Sequence, residues 1–350
     1  MDRRTIEVYD EQAETYEANR PPLFGDRATA LADAARGPVL DAGCGTGAYL
    51  PALGDAAVGL DGSTSMLERA AGHGAPLVRA DLGRLPFRRC GLGGAWGRNS
   101  YLHVPHEEMP LALAELHRAV DVAAPVSVSF ITGPDDHVVS DDDLPGRSFW
   151  RWTDDALVDL FTGAGFRDVL LSGERPRFVD AVRARTLPDT VGPDMRLLVC
   201  GLNPSLHAAD AGVGFVTPSN RFWRAAIEAG LATRPYDPWD ALRSHGVGMT
   251  DLAKRATRRA DELSRDEYAA GIERVTRLCE RLRPGAVVCV GLAGWRAAVD
   301  RRAEVGVQDA TFGPSPVYVM PSTSGLNART PMAELVAHLR AAAGLADSTR

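Results

Sequence analysis

The sequence is poor in lysine and in paired cysteines. Its 350 residues include one lysine, Lys254, so nearly all of the 39 basic side chains are arginines. The five cysteines are odd in number and contain no Cys-x-x-Cys pair, which argues against a disulfide framework, a structural zinc site and an iron–sulfur cluster. We therefore expect no bound metal and a reducing compartment, the cytoplasm.

The sequence also lacks any apolar run near the ~18 residues of a membrane span. Its start is acidic and polar, which predicts no signal peptide. Hydrophobic residues make up 45% of the chain and charged residues 24%, as in ordinary globular proteins, and the length of 350 residues predicts two domains. No membrane partner is expected.

Charge is distributed unevenly along the chain. Residues 1–190 hold 19 Lys+Arg against 29 Asp+Glu, a net charge of −10, whereas residues 191–350 hold 20 against 17, a net charge of +3. An acidic half joined to a mildly basic half fits one domain that avoids nucleic acid and one that touches it. A net charge of +3 is also within ordinary scatter, so charge alone does not decide the point.

A glycine-rich turn follows the first predicted strand. Residues 39–47 read V-L-D-A-G-C-G-T-G, and a second predicted strand, 57–60, runs into Asp61. Glycines let the backbone approach a ligand closely, and an acid at the end of the second strand can hydrogen-bond ribose hydroxyls. The pattern predicts a nucleotide-like cofactor at this turn.

This D-x-G-x-G-x-G sequence resembles the S-adenosylmethionine loop of class I methyltransferases. The segments 80–82 (A-D-L) and 98–103 follow in that family's order, so the resemblance covers residues 1–187. It implies a Rossmann-like domain that binds S-adenosylmethionine. The residues that it assigns to the cofactor are Asp41, Gly43, Gly45, Gly47, Asp61, Asp81 and Asn99.

The methyl acceptor stays unknown at this stage. Residues 99–101 lack the prolines of DNA amino-methyltransferases, and neither Cys44 nor Cys90 lies in the Pro-Cys pair of cytosine-C5 enzymes. His103 and His106 are candidate bases, although surface or capping histidines are more usual. Transfer activity is itself open, because a domain of this kind can also serve as a cofactor-binding sensor.

The second half has two polar loops that follow predicted strands. The strand 196–201 runs into Asn203-Pro204-Ser205, and the strand 317–320 runs into a serine-rich loop that ends at Gly325. Between them, Phe215 follows a glycine loop. Open α/β sheets place their chemistry where strands end in such turns, so these loops are the candidate site.

Three motifs in this order resemble the mismatch-specific uracil/thymine-DNA glycosylases, a branch of the uracil-DNA glycosylase superfamily. They are G-L-N-P-S at 201–205, P-x-N-R-F-W at 218–223 with an aromatic before it, and M-P-S-T-S-G at 320–325. The resemblance implies a three-layer α/β/α domain over residues 188–350. It also implies double-stranded DNA with a mismatched uracil or thymine as the partner, and no cofactor for this domain.

The resemblance assigns roles to single residues. Asn203 orients the attacking water, Phe215 stacks on the flipped base, and Asn220 either reaches the base edge or caps the following helix. The late loop grips DNA, with an apolar plug that fills the gap in the base stack. The DNA-binding residues are Ser322, Thr323, Ser324, Gly325, Leu326 (the plug) and Arg329.

Three positions depart from the family pattern. Ser205 stands where many relatives have glycine, Ala328 where bacterial relatives have an arginine, and Leu292 where a lysine is common. These departures bear on discrimination of the opposite base more than on the chemistry. Lys254 is expected to meet solvent or a phosphate, so the predicted glycosylase is monofunctional and leaves an intact abasic site.

The sequence thus predicts an α/β fusion of two domains, 1–187 and 188–350. The predicted function is excision of uracil, thymine or a damaged pyrimidine from G·U and G·T mismatches, joined to methyl transfer to an unknown acceptor. The alternative is a methyltransferase targeted by a catalytically inactive, glycosylase-like nucleic-acid-binding module. The predicted helices are 5–19, 27–36, one from 48, 107–120, 153–164, 221–229, 265–281, 294–300 and 332–343. The predicted strands are 39–42, 57–60, 126–131, 166–172, 178–185, 196–201, 286–290 and 317–320.

Overall fold

The computed structural model describes residues 2–19, 21–134, 136–325, 327 and 329–349. The chain divides into two compact units, Met1–Ala184 and Arg185–Arg350. In this described part, no helix combines the length and the apolar character needed to cross a membrane.

The first unit alternates helices and strands. Its helices are α1 (Arg3–Glu11), α2 (Ala13–Asn19), α3 (Gly25–Ala34), α4 (Leu50–Leu53), α5 (Thr64–Ala70), α6 (Met109–Ala119) and α7 (Asp154–Gly163). Its strands are β1 (Val39–Ala42), β2 (Ala57–Asp61), β3 (Leu77–Arg79), β4 (Gly94–Gly97), β5 (Pro125–Thr132), β6 (His137–Val139), β7 (Ser148–Trp152), β8 (Phe166–Ser172) and β9 (Arg177–Arg183).

One sheet organises this unit. Five parallel strands lie in the order β3-β2-β1-β4-β5, and the antiparallel hairpin β8–β9 continues the sheet from β5. The end of β5 also pairs with β7 in parallel, and β6 pairs with β7 in the antiparallel direction. Buried side chains form a core on each side, such as Leu40 and Leu60 in one and Val39 and Trp96 in the other. This is the predicted Rossmann-like arrangement with a terminal antiparallel hairpin.

The first unit contains four elements that the sequence did not predict, α5, β3, β4 and β7, and it differs from the predictions at three further places. The helix predicted over 5–19 is interrupted at Gln12, between α1 and α2. The helix predicted from residue 48 begins at Leu50, because the glycine turn extends further than the pattern suggested. The acidic stretch 136–143, where no helix or strand was predicted, contains strand β6, which pairs with β7 at an exposed edge.

The second unit has five strands and six helices in its described residues. The strands are β10 (Leu197–Gly201), β11 (Val247–Asp251), β12 (Ala286–Val290), β13 (Gly306–Phe312) and β14 (Ser315–Met320). The helices are α8 (Leu206–Ala211), α9 (Phe222–Glu228), α10 (Pro238–His245), α11 (Arg265–Leu282), α12 (Leu292–Ala298) and α13 (Met332–Ser348).

The sheet of the second unit has the order β11-β10-β12-β14-β13, with only β13 antiparallel to its neighbour. Along β10, Leu197 and Val199 enter a core with α9 and α13, whereas Leu198 and Cys200 enter a core with α11 and α12. Alternate side chains of a strand point to opposite faces, so this pattern places helices on both faces. The predicted three-layer α/β/α architecture is confirmed.

Candidate functional sites

The glycine turn of the first unit has the backbone that its sequence demands. Gly43, Gly45 and Gly47 have φ angles of 77°, 53° and 81°, the left-handed region that favours glycine. A Cβ at Gly43 would overlap the Cβ of Ser100, and a Cβ at Gly47 would lie 2.8 Å from His73 Cδ2. Side chains are therefore excluded at Gly43 and Gly47, and the left-handed φ of Gly45 also favours glycine, so the backbone of the turn stays accessible to a ligand.

Asp61 holds this turn against the end of β2. Its carboxylate accepts hydrogen bonds from Gly45 N at 2.8 Å and from Ser63 N at 2.9 Å. Burial raises the pKa of Asp61 even though these backbone donors favour its ionised form. The carboxylate is thus fixed at the position where ribose hydroxyls were predicted to bind.

Asp41 lies behind the turn, within β1, and is 1% exposed. Its Oδ2 has no hydrogen-bond partner among the described residues. Burial, together with the nearby Asp61, raises the pKa of Asp41 to about 8. Asp41, which the sequence assigned to the cofactor, therefore lies behind the turn with a protonated, uncharged carboxyl at pH 7 and does not line the cavity.

A cavity of about 430 Å³ opens beside the glycine turn. Four of the predicted cofactor residues line it: Gly43, Gly45, Asp61 and Asn99. Asn99 has a left-handed φ of 56°, and its backbone N–H donates to Ser129 Oγ at 2.8 Å. Asp81 lies outside this lining, where its carboxylate accepts from Gly83 N at 2.7 Å.

Several cavity residues were not assigned to the cofactor by the sequence, and they are Ile6, Tyr9, Tyr16, Met66, Arg98, Ser100 and His103. The first three come from α1 and α2. In the sequence, the spacing of Tyr9 and Tyr16 indicates that both lie on one face of a helix. In the structure they belong to α1 and α2, and both line the cavity.

His103 is one of these lining residues and is 2% exposed. Its Nδ1 lies 2.6 Å from the Ser148 carbonyl and its Nε2 2.8 Å from Tyr9 Oη. A carbonyl only accepts, so Nδ1 carries the proton and Nε2 accepts from the phenol. Burial lowers the pKa of His103 to about 4, so the ring is neutral at pH 7. His106 instead binds the Arg151 carbonyl at 3.0 Å and lies outside the cavity lining.

In the second unit, Asn203 follows β10 in the turn that leads to α8. Its Nδ2 donates to the Arg255 carbonyl at 2.9 Å and to Thr257 Oγ1 at 2.7 Å. Both N–H groups of the amide have acceptors, so Oδ1 is the end of the side chain that can accept a hydrogen bond from another molecule. Thr257 is buried, and its N–H donates to the Pro204 carbonyl at 3.2 Å. No local sequence pattern pointed to this role of Thr257.

Ser205 begins a helix that the sequence pattern did not predict. Its Oγ accepts from Ala208 N at 3.1 Å and caps α8, which ends at Gly212 in the left-handed region. A serine N-cap is worth about 1 kcal/mol relative to alanine, and glycine in its place costs only a few tenths. The serine found in place of the family glycine is therefore a helix cap.

Phe215 lies after α8 with an unusual backbone, a left-handed φ of 56° in a half-buried residue. Its ring stacks on Phe222 with centroids 4.2 Å apart, and Trp223 Nε1 donates to the neighbouring Gly214 carbonyl at 2.9 Å. Asn220 Oδ1 accepts from Phe222 N at 2.9 Å, so the capping role of Asn220 is present. The aromatic wall and the P-x-N-R-F-W turn are thus one packed assembly.

The serine-rich loop after β14 is tied to that assembly by Arg221. Its guanidinium donates to the carbonyls of Thr330 and Asn327, each at 2.6 Å, and its N–H donates to the Thr323 carbonyl at 3.0 Å. A Cβ at Gly325 would lie 2.5 Å from the Cβ of Ser219, so the loop and the turn touch there. Sequence reasoning assigned no role to Arg221, which joins two of the three motifs.

The predicted DNA-binding residues differ in exposure. Arg329 is exposed, Ser322, Ser324 and Gly325 are half-buried, and Thr323 is only 1% exposed. Leu326, the predicted plug, lies outside the described residues, as does Ala328.

Lys254 does not meet solvent or a phosphate as expected. Its Nζ lies 2.9 Å from Asp189 Oδ1, and its side chain is 12% exposed. Arg274 binds the other oxygen of Asp189 at 2.6 Å. Burial alone would raise the pKa of Asp189, but Arg274 and Lys254 hold it below its usual value. Lys254 is therefore half of a buried ion pair, because a charge this enclosed needs a partner.

Comparison with known proteins assigns a family to each half. Residues 188–342 match the family model of the uracil DNA glycosylase superfamily, and residues 39–122 match that of a methyltransferase domain. Both predicted resemblances and the α/β fold class are confirmed. Each half of the chain thus contains a segment that matches one of these two families.

Solved structures similar to this chain include three methyltransferases. One is a SAM-dependent methyltransferase from Methanosarcina mazei, 16% identical, covering 44% of this chain and 97% of that one with a TM-score of 0.39. Another, from Thermotoga maritima, is described as a possible histamine N-methyltransferase, with 15% identity, coverage of 51% and 99%, and a TM-score of 0.40. The third is the 1,6-didemethyltoxoflavin-N1-methyltransferase of Burkholderia thailandensis, with 16% identity, coverage of 51% and 85%, and a TM-score of 0.40.

Proposed function

We propose that the second unit is a DNA glycosylase that removes uracil, thymine or a damaged pyrimidine from G·U and G·T mismatches in double-stranded DNA without a cofactor. The observation that carries the proposal is the orientation of Asn203. Its Nδ2 is held by Arg255 O and Thr257 Oγ1, which leaves Oδ1 to accept a hydrogen bond from the attacking water. A carboxamide is a weak base, so its contribution is to aim the lone pair of the water at the sugar carbon.

The bond that breaks joins the base to the sugar, and positive charge develops on the sugar as the base leaves. Phe215, packed on Phe222, supplies an aromatic surface for an unstacked pyrimidine. The serine-rich loop, held by Arg221, supplies backbone and hydroxyl donors for phosphates. The three motifs thus divide the reaction among them, because one orients the water, one binds the base and one binds the DNA backbone.

An excision assay on duplexes containing G·U and G·T, and on single-stranded uracil DNA, tests this proposal. Asn203→Ala should slow uracil excision by about 100-fold, the lower range for loss of an aligned proton-handling group, while duplex binding stays unchanged. Gln308→Ala removes a side-chain amide on the edge strand β13 and should match the wild type. Excision by Asn203→Ala at the wild-type rate, or no excision by the wild type, would favour the alternative of an inactive targeting module.

We also propose that the first unit binds S-adenosylmethionine and transfers its methyl group. The residues present fit that cofactor: a glycine turn with left-handed backbone and no room for a Cβ at Gly43 or Gly47, a fixed carboxylate at Asp61, and a cavity beside both. Gly43 and Gly45 would hold the amino-acid portion and Asp61 the ribose hydroxyls. The cofactor supplies an electrophilic methyl group when bound, and the chain supplies alignment.

Calorimetry with S-adenosylhomocysteine tests cofactor binding without the need for an acceptor. The wild type should bind, and Gly45→Arg should not, because its side chain enters the cavity and its φ is unfavourable for a residue with a Cβ. Gly74→Arg is a matched control, since Gly74 also has positive φ but open space around it. Absence of binding by the wild type would contradict the proposal.

A further inference from the structure

The chain's own first two helices form one wall of the methyltransferase cavity. Ile6 and Tyr9 of α1 and Tyr16 of α2 line it. The Tyr16 ring lies 3.5 Å from the position of a Cβ on Gly45, directly at the glycine turn. The rings of Tyr9 and Tyr16 meet edge to face at 5.6 Å, so the wall is continuous over both the cofactor turn and the rest of the cavity.

This wall is anchored to the body of the unit on several sides. Asp10 accepts from Ser63 Oγ at 2.6 Å and from Ser65 N at 3.0 Å, at the start of α5. Thr5 Oγ1 accepts from Ser148 N at 2.9 Å. Since α1 is held both at the start of α5 and at β7, this wall of the cavity is fixed to the body of the unit.

At the polar end of the wall, the phenol oxygen of Tyr9 has two hydrogen-bond partners. Tyr9 Oη gives its proton to Nε2 of neutral His103 and receives a hydrogen bond from Arg147 at 3.2 Å. Arg147 is fixed by Asp142, at 2.8 Å and 2.6 Å, and is 4% exposed. With its only proton committed, the phenol can meet a ligand solely through an oxygen lone pair. The group that binds there must be a donor.

We propose that the methyl acceptor is a small molecule whose N–H or O–H donates to Tyr9, and not a base of nucleic acid. The inference rests on the methyl transfer proposed above and names its acceptor class. A base in nucleic acid brings sugar and phosphates to the mouth of a site, and residues 1–190 carry a net charge of −10, which repels phosphates. A fixed wall of the chain's own helices leaves room for a compact ligand.

In the transfer step, a lone pair on the acceptor's nitrogen or oxygen forms the bond to the methyl carbon. The carbon–sulfur bond breaks and its electron pair stays on sulfur, which yields S-adenosylhomocysteine. The proton that the acceptor loses passes to water. Tyr9 binds the acceptor and directs it, and no oxidant or reductant takes part.

A labelling experiment with the full chain and tritiated S-adenosylmethionine tests the acceptor class. One set of reactions receives duplex DNA with and without G·U, total RNA, or the macromolecular fraction of a cell extract. The other receives the small-molecule filtrate of that extract, or a panel of phenols, catechols, imidazoles and primary amines. Label in a small molecule supports the proposal. Label in nucleic acid or protein, or in neither set while S-adenosylhomocysteine binds, overturns it.

Variants of two tyrosines test the role of the phenol. Tyr9→Phe should reduce label transfer to the small molecule by about 10-fold and leave the affinity for S-adenosylhomocysteine within about 2-fold. Tyr49→Phe is the matched control, a buried tyrosine outside the cavity lining, and should behave as the wild type. An unchanged transfer rate in Tyr9→Phe removes Tyr9 from acceptor binding.

A binding measurement separates failure of the proposed acceptor class from failure of the methyl transfer on which it rests. In the presence of saturating S-adenosylhomocysteine, the small molecule should raise the melting temperature of the wild type but not of Tyr9→Phe, because a ligand stabilises the state that binds it. Equal shifts in both proteins contradict the proposed contact. If S-adenosylhomocysteine itself fails to bind the wild type, the proposed methyl transfer is contradicted, and so is the acceptor class that rests on it.

Discussion

A buried hydroxyl makes the shortest of the hydrogen bonds that orient the Asn203 amide. Thr257 Oγ1 accepts from Nδ2 at 2.7 Å, and Thr257 is 4% exposed, so the contact is shielded from water. Without it, the amide keeps the Arg255 carbonyl at 2.9 Å and the more distant Pro204 carbonyl at 3.2 Å, and it is held less firmly. In the proposed reaction, the loss appears as poorer alignment of the water and not as weaker DNA binding.

Thr257→Val should therefore slow uracil excision by about 10-fold at unchanged affinity for the mismatch duplex, since one hydrogen bond of about 1.4 kcal/mol is lost at nearly constant volume. Single-turnover excision and a duplex titration provide the two measurements. Thr311→Val, on the exposed face of β13, is the control. A Thr257→Val protein that excises normally would show that the carbonyls of Arg255 and Pro204 fix the amide without the hydroxyl.

The raised pKa of the Asp41 carboxyl predicts that the stability of the first unit depends on pH. Its pKa is about 8 in the folded chain against an ordinary value of 3.8, so the folded state binds more protons than the unfolded state between these values. Stability from this group is complete below pH 3.8 and is lost as pH rises through 8. Asp41→Asn, which carries no charge, should escape that loss.

Urea denaturation of the wild type and Asp41→Asn at about pH 5 and about pH 9 measures this dependence. The variant should gain stability relative to the wild type on going to the higher pH, with Asp33→Asn, at an exposed position on α3, showing no such gain. Parallel changes in all three proteins would mean that Asp41 does not set the dependence.

At the scale of elements, the site of the second unit is a junction between a turn and a loop. Gly325 of the serine-rich loop meets Ser219 of the turn, where an added Cβ would lie 2.5 Å from the serine Cβ and 2.6 Å from its Oγ. Arg221 holds the same two segments together through main-chain carbonyls. Because the two segments pack this closely, we expect a shift of one to displace the other.

Gly325→Ala should destabilise the second unit by about 1–3 kcal/mol, the usual cost of overpacking, and slow excision. Ser219→Gly should recover part of both losses in the double variant, because it removes the Cβ and Oγ but leaves the Ser219 carbonyl at 3.0 Å. A double-mutant cycle on unfolding free energy and excision rate measures the coupling. Additive effects would show that the junction is not tight.

The sequence predicted the strands whose apolar runs end in polar turns, because that pattern is local: β1 and β10 are examples. It missed α8, whose six residues are too few for a helical period to be visible and whose start depends on the Ser205 cap. It also missed β13, an edge strand with mostly exposed side chains. Whether an edge segment such as β13 forms a strand depends on its packing against neighbouring strands more than on the propensity of its own residues.

The candidate sites divide in the same way. Asn203 and the glycine turn are recognisable because the backbone there demands particular residues. Thr257 contacts Asn203 from 54 positions away, and nothing local marks a threonine for that role. Arg147 likewise reaches Tyr9 across 138 positions. Such partners are chosen by the fold, so only the structure could find them.

At the scale of the whole molecule, the chain offers one ε-amine for a Schiff base, and that amine belongs to a buried ion pair with Asp189. A glycosylase that cuts the strand needs a free amine at the sugar. Borohydride added during turnover should therefore trap no covalent protein–DNA complex, and strand breaks should appear only after alkali. A trapped complex that disappears in Lys254→Ala would make Lys254 the nucleophile.

Because Lys254 is enclosed, its chemical reactivity can report local opening of the structure around it, which calorimetry averages over the whole molecule. Amine-reactive esters acylate a lysine only when it is released from its partner, so the rate of labelling at position 254 follows the local opening of the segment beside β11. With no second lysine in the chain, every acylated ε-amine found by mass spectrometry reports that one event. For the same reason, coupling to a solid support through lysine would select molecules in which this segment has already opened.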